Sequence, residues 1–412
     1  MSSAIKASFS DVIEALHGAV RPLERPPAEV PLMEAEGRFL AEDISSRFDF
    51  PLFDNSAMDG YAVRTADFAG AGDEVLTLCV AAEITAGHPY DGSVPAGASV
   101  RIMTGAKLPD GFDAVIPIEK TISGSGTVDF APGLLKAGTN VRRRGEIFRT
   151  GEVLLHRGTL LNKGHIGLAA SLGLGTLRCL PKLTAAIFSS GDELVEPSDG
   201  APLGEGRIYN ANGTYVTLLA RSLGIDARYM GILPDDPNEI ERRFRETAGS
   251  FDIVICSGGV GPGDCDFTAA VLNRLAVLHH YHVAMRPGKP FSFGSFNETD
   301  TLILGLPGNP VAAANAGSHF IEAASETLLG TARPSGTLQV RVAGRIKSRL
   351  GRQDFVRGTI SQSEDGRLDF HPGSQQSSAS LLGVALGNAV LTVPADRDLL
   401  SEGDLAEARY TD

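Results

Sequence analysis

Four segments of this 412-residue chain put polar, turn-forming residues directly after short apolar runs. Ser190-Gly191-Asp192-Glu193-Leu194 follows the run 183–189, and Pro234-Asp235-Asp236 follows 227–233. Ser257-Gly258-Gly259-Val260-Gly261-Pro262-Gly263-Asp264-Cys265-Asp266 follows 252–256, and Pro307-Gly308-Asn309-Pro310 follows 301–306. In an open α/β sheet, ligands bind beyond the carboxyl ends of the strands, where such loops lie. The carboxylates Glu193, Asp235, Asp264 and Asp266 suit a hard divalent cation such as Mg²⁺, which takes oxygen ligands. Asp236 before Pro237 reads as a helix cap. The Ser257-Gly258-Gly259 turn, ahead of a helix, can offer backbone N–H groups to a phosphate. Arg286-Pro287-Gly288-Lys289-Pro290 places two cations on a stiff turn. Arg142-Arg143-Arg144 is either a solvated face or a phosphate-binding spot. His280 and His282 share a strand face, but with no third ligand nearby they read as ordinary strand residues. The motifs GxxxxGK[ST], GxGxxG and GxSxG are absent, so neither a nucleotide P-loop, a nicotinamide site nor a hydrolase nucleophile elbow is indicated.

These loops need a scaffold, and the chain has a clear one. Between 182 and 330, strand-like runs alternate with helical stretches at 210–222, 236–248, 268–275 and 309–329. That alternation predicts a doubly wound α/β domain. From 51 to about 140, short β-branched runs at 74–84, 99–103 and 114–118 sit between Gly, Pro and Asp turns, which predicts a small inserted β domain. Residues 1–50 and 141–181 are read together as a discontinuous N-terminal domain, with a helix over 11–20 capped by Ser10 and another from Asn162 to Leu172. After 332 the pattern returns to period two, predicting a C-terminal β barrel or sandwich. The expected boundaries are 1–50 with 141–181, 51–140, 182–331 and 332–412. A chain of this length holds two to four domains at about 150 residues each.

Composition narrows the function. With 37 Lys plus Arg against 50 Asp plus Glu, the net charge is −13, a poor match for nucleic acid, whose affinity rests on cation–phosphate contacts. Trp is absent, which argues against a stacking groove for single strands. No apolar run approaches the ~18 residues of a membrane span, and the first ten residues lack the pattern of a secretory leader. The four cysteines form no C-x-x-C pair, so a reduced cytoplasm is the expected setting.

The segment Pro51-Leu52-Phe53-Asp54-Asn55-Ser56-Ala57-Met58-Asp59-Gly60-Tyr61-Ala62-Val63 resembles the signature of the MoeA family of molybdopterin molybdenumtransferases, which includes the gephyrin E domain. Met103-Thr104-Gly105-Ala106, Arg144-Gly145-Glu146, the five loops above and the serine-rich Ser377-Ser378-Ala379-Ser380-Leu381 follow in that family's order. The resemblance implies an elongated homodimer whose site lies between the inserted domain of one subunit and the α/β domain of the other. It implies a reaction that takes adenylylated molybdopterin and molybdate, releases AMP and leaves molybdenum on the dithiolene, with Mg²⁺. Carried over by position, Asp59, Thr104, Glu193 and Asp235 are the implied catalytic residues, and Asp266 and Asp235 the implied metal ligands. Ser257, Gly258, Gly259, Arg286, Pro287, Lys289, Asn309, Ser377 and Ser378 are expected to hold substrate. The molybdopterin adenylyltransferase and recipient molybdoenzymes are further expected partners. The chain departs from the family at Ile147, where relatives commonly have Asp, and at Gly261-Pro262-Gly263. These departures leave an alternative: a divergent paralogue that binds or carries molybdopterin or its molybdenum cofactor with little insertase activity.

Overall fold

The computed structural model describes residues 4–68, 74–131, 135–197, 202–259 and 267–411. They form two compact units, one from Met1–Ala41, Leu160–Asn162 and Thr176–Asp412, the other from Glu42–Thr159 and Lys163–Gly175. The first unit is built on β1 (Ile5–Ala7), α1 (Phe9–Ala19), β2 (Thr184–Ser190), α2 (Ala211–Ser222), β3 (Asp226–Leu233), α3 (Pro237–Thr247), β4 (Ile253–Ser257), α4 (Phe267–Leu275), β5 (Ala276–Val283), β6 (Pro290–Phe296), β7 (Leu302–Leu306) and α5 (Pro310–Leu329). Its seven strands run in the order β1-β5-β6-β7-β4-β2-β3. All are parallel except β6, which is antiparallel to both β5 and β7.

Burial on both faces explains the unbroken apolar runs. All five residues of β4 and all five of β7 are buried, as a sheet covered on both sides requires. Successive side chains go to opposite faces. Ile187, Ile255 and Leu304 meet Val12, Leu16, Val216 and Phe320 of α1, α2 and α5. Phe188, Val254 and Ile303 meet Ile240, Phe244, Val271 and Leu272 of α3 and α4. The domain is therefore doubly wound, as its alternating pattern predicts. Residues 5–19 belong to these layers: β1 pairs with β5, and Val12 and Leu16 of α1 join the core.

Helix α3 begins as read, with Asp236 accepting from the Asn238 N–H at 2.9 Å and Pro237 in the first turn. Helix α1 does not. Its cap is Ser8 rather than Ser10. Ser8 Oγ accepts from the Asp11 N–H at 3.1 Å, and Asp11 accepts from the Ser8 N–H at 3.0 Å. This capping box extends the helix to include Phe9, whose ring packs at 5.1 Å from His319 and 5.5 Å from Phe355.

In the last part of the chain, β8 (Thr337–Val342), β9 (Gln353–Gln362), β10 (Leu368–Pro372), β11 (Ala389–Val393) and β12 (Leu405–Tyr410) pair in the order β9-β10-β8-β12-β11, and β11 closes back on β9. This closed five-stranded barrel is filled by Val340, Val342, Ile360, Phe370, Leu391 and Val393.

The second unit holds a six-stranded sheet in the spatial order Ala114–Pro117, Gly60–Val63, Ala98–Ile102, Leu76–Ile84, Thr127–Phe130, Thr121–Ser123. Apolar clusters around Val100 and Ile102, and around Leu78 and Phe130, flank it. Helix Lys163–Ser171 also belongs to this unit.

His319 carries a pH expectation. Its ring lies 4.4 Å from Phe355. Burial, with the Arg409 charge second, lowers it from 6.5 to about 4, while Glu322 acts the other way. The folded state thus keeps the ring neutral where an unfolded chain would protonate it. Stability is complete above pH 6.5 and falls as the pH drops toward 4, because the unfolded state binds the extra proton in that window. His319→Phe is expected to flatten Tm across this range. A wild-type Tm that does not change between pH 6.5 and 4 would refute the role.

Candidate active site

The carboxyl edge of the seven-stranded sheet opens into a cleft of about 2170 Å³, closed on its other side by residues of the barrel. Four elements deliver the loops singled out from the sequence. The antiparallel β6 adds a fifth: because it runs backwards, the hairpin joining β5 to β6 brings Arg286, Pro287, Gly288 and Lys289 to the same edge.

At the end of β4, Gly258 has φ +89° and Gly259 φ +61°. A Cβ on Gly258 would lie 2.6 Å from Ser190 O, and one on Gly259 2.7 Å from Thr268 Oγ1. Only glycine fits this close approach. The Ser257 hydroxyl donates to Pro307 O at 3.0 Å, and Asn212 Nδ2 donates to Ser257 Oγ at 2.9 Å and to Gly308 O at 2.7 Å. Asn212 therefore ties the two glycine turns together. The Gly258 N–H already donates to Leu306 O at 3.1 Å, so of these two glycines it is Gly259 whose N–H can serve an anion. Asn309 stands at the start of α5 without capping it through its side chain, and it lines the cleft. Val311 N–H instead donates to Ser378 O at 3.1 Å, which seats the serine loop on that helix.

The acidic end of the cleft lies at the end of β2; Asp235, at the end of β3, is not among the lining residues and stands beside it on Asp192. Glu193 lines the cleft, and its carboxylate folds back over Gly191, where a Cβ would come within 2.3 Å of Oε2. The Asp235 N–H donates to Asp192 Oδ1 at 3.1 Å. Burial, then the charges of Asp192 and Glu193, hold the Asp235 carboxyl above the usual carboxylate range. A divalent cation relieves that kind of repulsion, and carboxylate oxygens suit Mg²⁺. Among the described residues no three His, Cys, Asp or Glu side chains converge as a metal-holding group. Asp264 and Asp266 lie outside the described residues, with Gly261-Pro262-Gly263. His280, the other metal candidate by type, instead shares a hydrogen bond of 3.0 Å with Asn273.

The opposite end is cationic. Among its described lining residues the cleft carries Lys6, Arg286, Lys289, Arg345, Lys347, Arg349, Arg352 and Arg357 against Asp11, Glu193 and Asp354. Such an excess in a chain of net charge −13 focuses anions into the cleft. Asp354 forms a bidentate pair with Arg352 at 2.7 and 2.9 Å. Arg357 is different. It is only 4% exposed, its Nη2 donates to the carbonyls of Gln375 and Ser377 at 3.3 and 3.4 Å, and its Nε is buried with no partner among the described residues. Burial and the nearby Arg286 charge lower its proton affinity. A buried guanidinium held by carbonyls, beside a second Arg and a serine loop, has the chemistry to hold a small oxyanion. The sequence reading missed Arg357. The available signal is an Arg at a core-facing position of an apolar strand, between Phe355 and Gly358, where a charge is rarely buried unless it is used.

In the second unit, the signature segment presents Asp59. Thr104 N–H and Oγ1 both donate to Asp59 Oδ1, each at 2.7 Å, and these bonds, the hydroxyl's first, hold the carboxyl below its ordinary range. Gly60 fixes the position: a Cβ there would lie 2.0 Å from Ile116 O. The arginine run is an ion-pair site. Arg143 meets Asp54 at 2.6 Å and Arg144 meets Asp49 at 2.9 Å, so for these two the solvated-face reading holds over phosphate binding. Ile147 is 58% exposed. Asp59 and Thr104 are thus brought together in one unit, while Glu193, Asp235, Arg286, Lys289, Asn309 and Ser377 belong to the other.

Residues 7–173 match the family model for the MoeA N-terminal region (domains I and II), 186–326 that for a probable molybdopterin binding domain, and 339–409 that for the MoeA C-terminal region (domain IV). The chain is 38% identical to a molybdopterin molybdenumtransferase of Haemophilus influenzae over 90% of its own length and 91% of the relative's. It is 33% identical to one of Synechococcus elongatus over 98% and 99%. The crystal structure of the molybdopterin biosynthesis moeA protein of Pyrococcus horikoshii superposes with a TM-score of 0.82 at 26% identity, covering 98% of this chain and 99% of that one.

Proposed function

Because the chain belongs to the MoeA family, we propose that it is a transferase of molybdenum cofactor biosynthesis. It takes adenylylated molybdopterin and molybdate, releases AMP and leaves molybdenum on the dithiolene. The observation that carries this reading is the Arg357 socket, with Arg286 and the serine loop at its mouth. Molybdate is a tetrahedral dianion, and such a buried, carbonyl-held guanidinium suits it. The pyrophosphate lies on Arg286, Lys289 and the Gly259 N–H, whose positive charge answers the charge that develops as the bond to AMP breaks. Asp59, kept ionised by Thr104, orients the attacking oxygen and accepts its proton. The reading includes the homodimer that the family resemblance implies, in which Asp59 of one subunit completes the cleft of the other. The adenylyltransferase and recipient molybdoenzymes are its proposed partners, and the cytoplasm its setting. Purified protein supplied with adenylylated molybdopterin and molybdate tests the reading directly, by AMP release and cofactor formation. Absence of both refutes it.

The residues present fit Mg²⁺ in part: Asp235 with Asp192 would hold it together with substrate phosphate oxygens, and Asp266 is the further ligand the family order implies. When bound, the ion would neutralise phosphate charge. Asp235→Asn is expected to raise the Mg²⁺ concentration for half-maximal AMP release by about tenfold, the scale of losing one of few carboxylate ligands. Tm should stay unchanged or rise slightly, since a repelled, largely exposed carboxylate is removed. An unchanged Mg²⁺ requirement would exclude the role.

The second reading, a binding or carrier protein with little insertase activity, is favoured by Ile147, an exposed apolar side chain at the position where the family pattern commonly has Asp. Ile147→Asp faces solvent, so it avoids the several kcal/mol that burying an unpaired carboxylate costs. If that reading holds, the variant should release AMP faster than wild type at unchanged Tm. Equal rates would show that position 147 does not limit activity.

A further inference from the structure

One apolar surface of the cleft lies next to its acidic end. Two short strands, Leu194–Val195 and Ile208–Tyr209, pair in parallel there. Ile208 is 53% exposed and Tyr209 44%, and both line the cleft. Adjacent residues of a strand face opposite ways, so the ribbon stands proud with an apolar side chain on each face. It is also rigid. Ile208 N–H donates to Glu193 O and Asn210 N–H to Val195 O, each at 2.9 Å. Asn210, only 1% exposed, accepts from Gly213 N–H at 3.1 Å and donates to the Tyr229 hydroxyl at 2.6 Å.

A fixed tyrosine inside a cation-rich cleft fits the face of a ring that carries phosphate. We infer that Tyr209, flanked by Ile208, is a stacking platform for a planar, amino-bearing heterocycle of the substrate. The inference rests on the proposed substrate class, in which both the adenine and the pterin have this chemistry. Aromatic stacking supplies affinity for the ring face, and the Glu193 carboxylate at the foot of the ribbon can accept from a ring amino group. Tyr209 is thus a positioning residue that sets which end of the substrate points toward the Arg357 socket.

The test is titration of the full chain, Tyr209→Ala and Tyr209→Phe with AMP, ribose 5-phosphate and 6-hydroxymethylpterin, with Tm measured for each variant. Tyr209→Ala is expected to weaken a ring-bearing probe by about tenfold or more, the effect of removing a stacking partner, while Tyr209→Phe stays within about twofold of wild type. Ribose 5-phosphate should bind all three alike. Loss on AMP assigns the platform to adenine, and loss on the pterin assigns it to pterin. The inference is overturned if both ring-bearing probes are indifferent to Tyr209→Ala, if ribose 5-phosphate weakens equally, or if neither ring-bearing probe binds the wild type. A wild type that binds a ring through Tyr209 yet releases no AMP leaves the platform standing and refutes the transferase reading. An active enzyme indifferent to Tyr209 refutes the platform alone.

Discussion

Asp59→Asn is expected to lower AMP release by about 10²-fold or more, the contribution of a positioned general base, while the protein stays folded. Asp59 is exposed at a turn, and its one visible duty is to accept the two Thr104 bonds. An asparagine carbonyl can still accept both, so the stability cost should stay within about 1 kcal/mol, the scale of a weakened cap. Rate and stability therefore separate. Thr104→Val is the companion measurement. It removes one of the two donors to the same oxygen, loosening the carboxylate and raising its proton affinity, so the acid limb of the rate profile should move to higher pH. Normal turnover of Asp59→Asn with a lowered Tm would reduce Asp59 to a turn-former.

Arg357→Met gives the second large effect, in two opposite directions. In the wild type, a ligand that binds only the folded state raises stability by about 2.7 kcal/mol at a hundredfold excess over Kd, so molybdate should raise Tm. The Met variant should lose that response and need far more molybdate for turnover. Without ligand, however, it should melt at the same temperature as the wild type or higher. Arg357 is a buried cation repelled by Arg286 and, among the described residues, held by carbonyls rather than a carboxylate, and replacing a buried charge by an apolar side chain of similar length is often neutral or stabilising. A purely structural arginine predicts the reverse: a lower Tm and an unchanged molybdate requirement.

What could be read from the sequence follows from what is local. Asp236-Pro237 specifies a helix start through its own backbone, and the all-buried runs of β4 and β7 announce a sheet covered on both faces. Gly258 and Gly259 were legible as a tight turn, yet which N–H the turn leaves for a ligand depends on Leu306, 48 residues further along the chain. Ser10 reads as the cap because the apolar period begins at Val12, whereas Phe9 is drawn into the helix by contacts with Phe355 and His319. The arginine run reads equally as a solvated face or a phosphate spot, because the Asp49 and Asp54 that pair with two of its members lie about 90 residues away in the chain. The proposed anion socket at Arg357 combines a barrel strand, the serine loop and the β5–β6 hairpin, and no single stretch of sequence contains it.

The reversed strand β6 has an evolutionary corollary. The hairpin of Arg286, Pro287, Gly288 and Lys289 leaves the antiparallel ladder at His282 opposite Pro290, and it is held from two further sides: Met285 and Arg286 pair in parallel with Gln353 and Asp354 of β9, and Asn315 of α5 donates to Pro287 O at 2.9 Å. An insertion at its tip would pull on the sheet, the barrel and a helix together. Among lineages that handle different tetrahedral oxyanions or differently decorated pterins, this segment should therefore keep its length and vary in side chain, and in a laboratory library it is the place to randomise by substitution rather than by insertion.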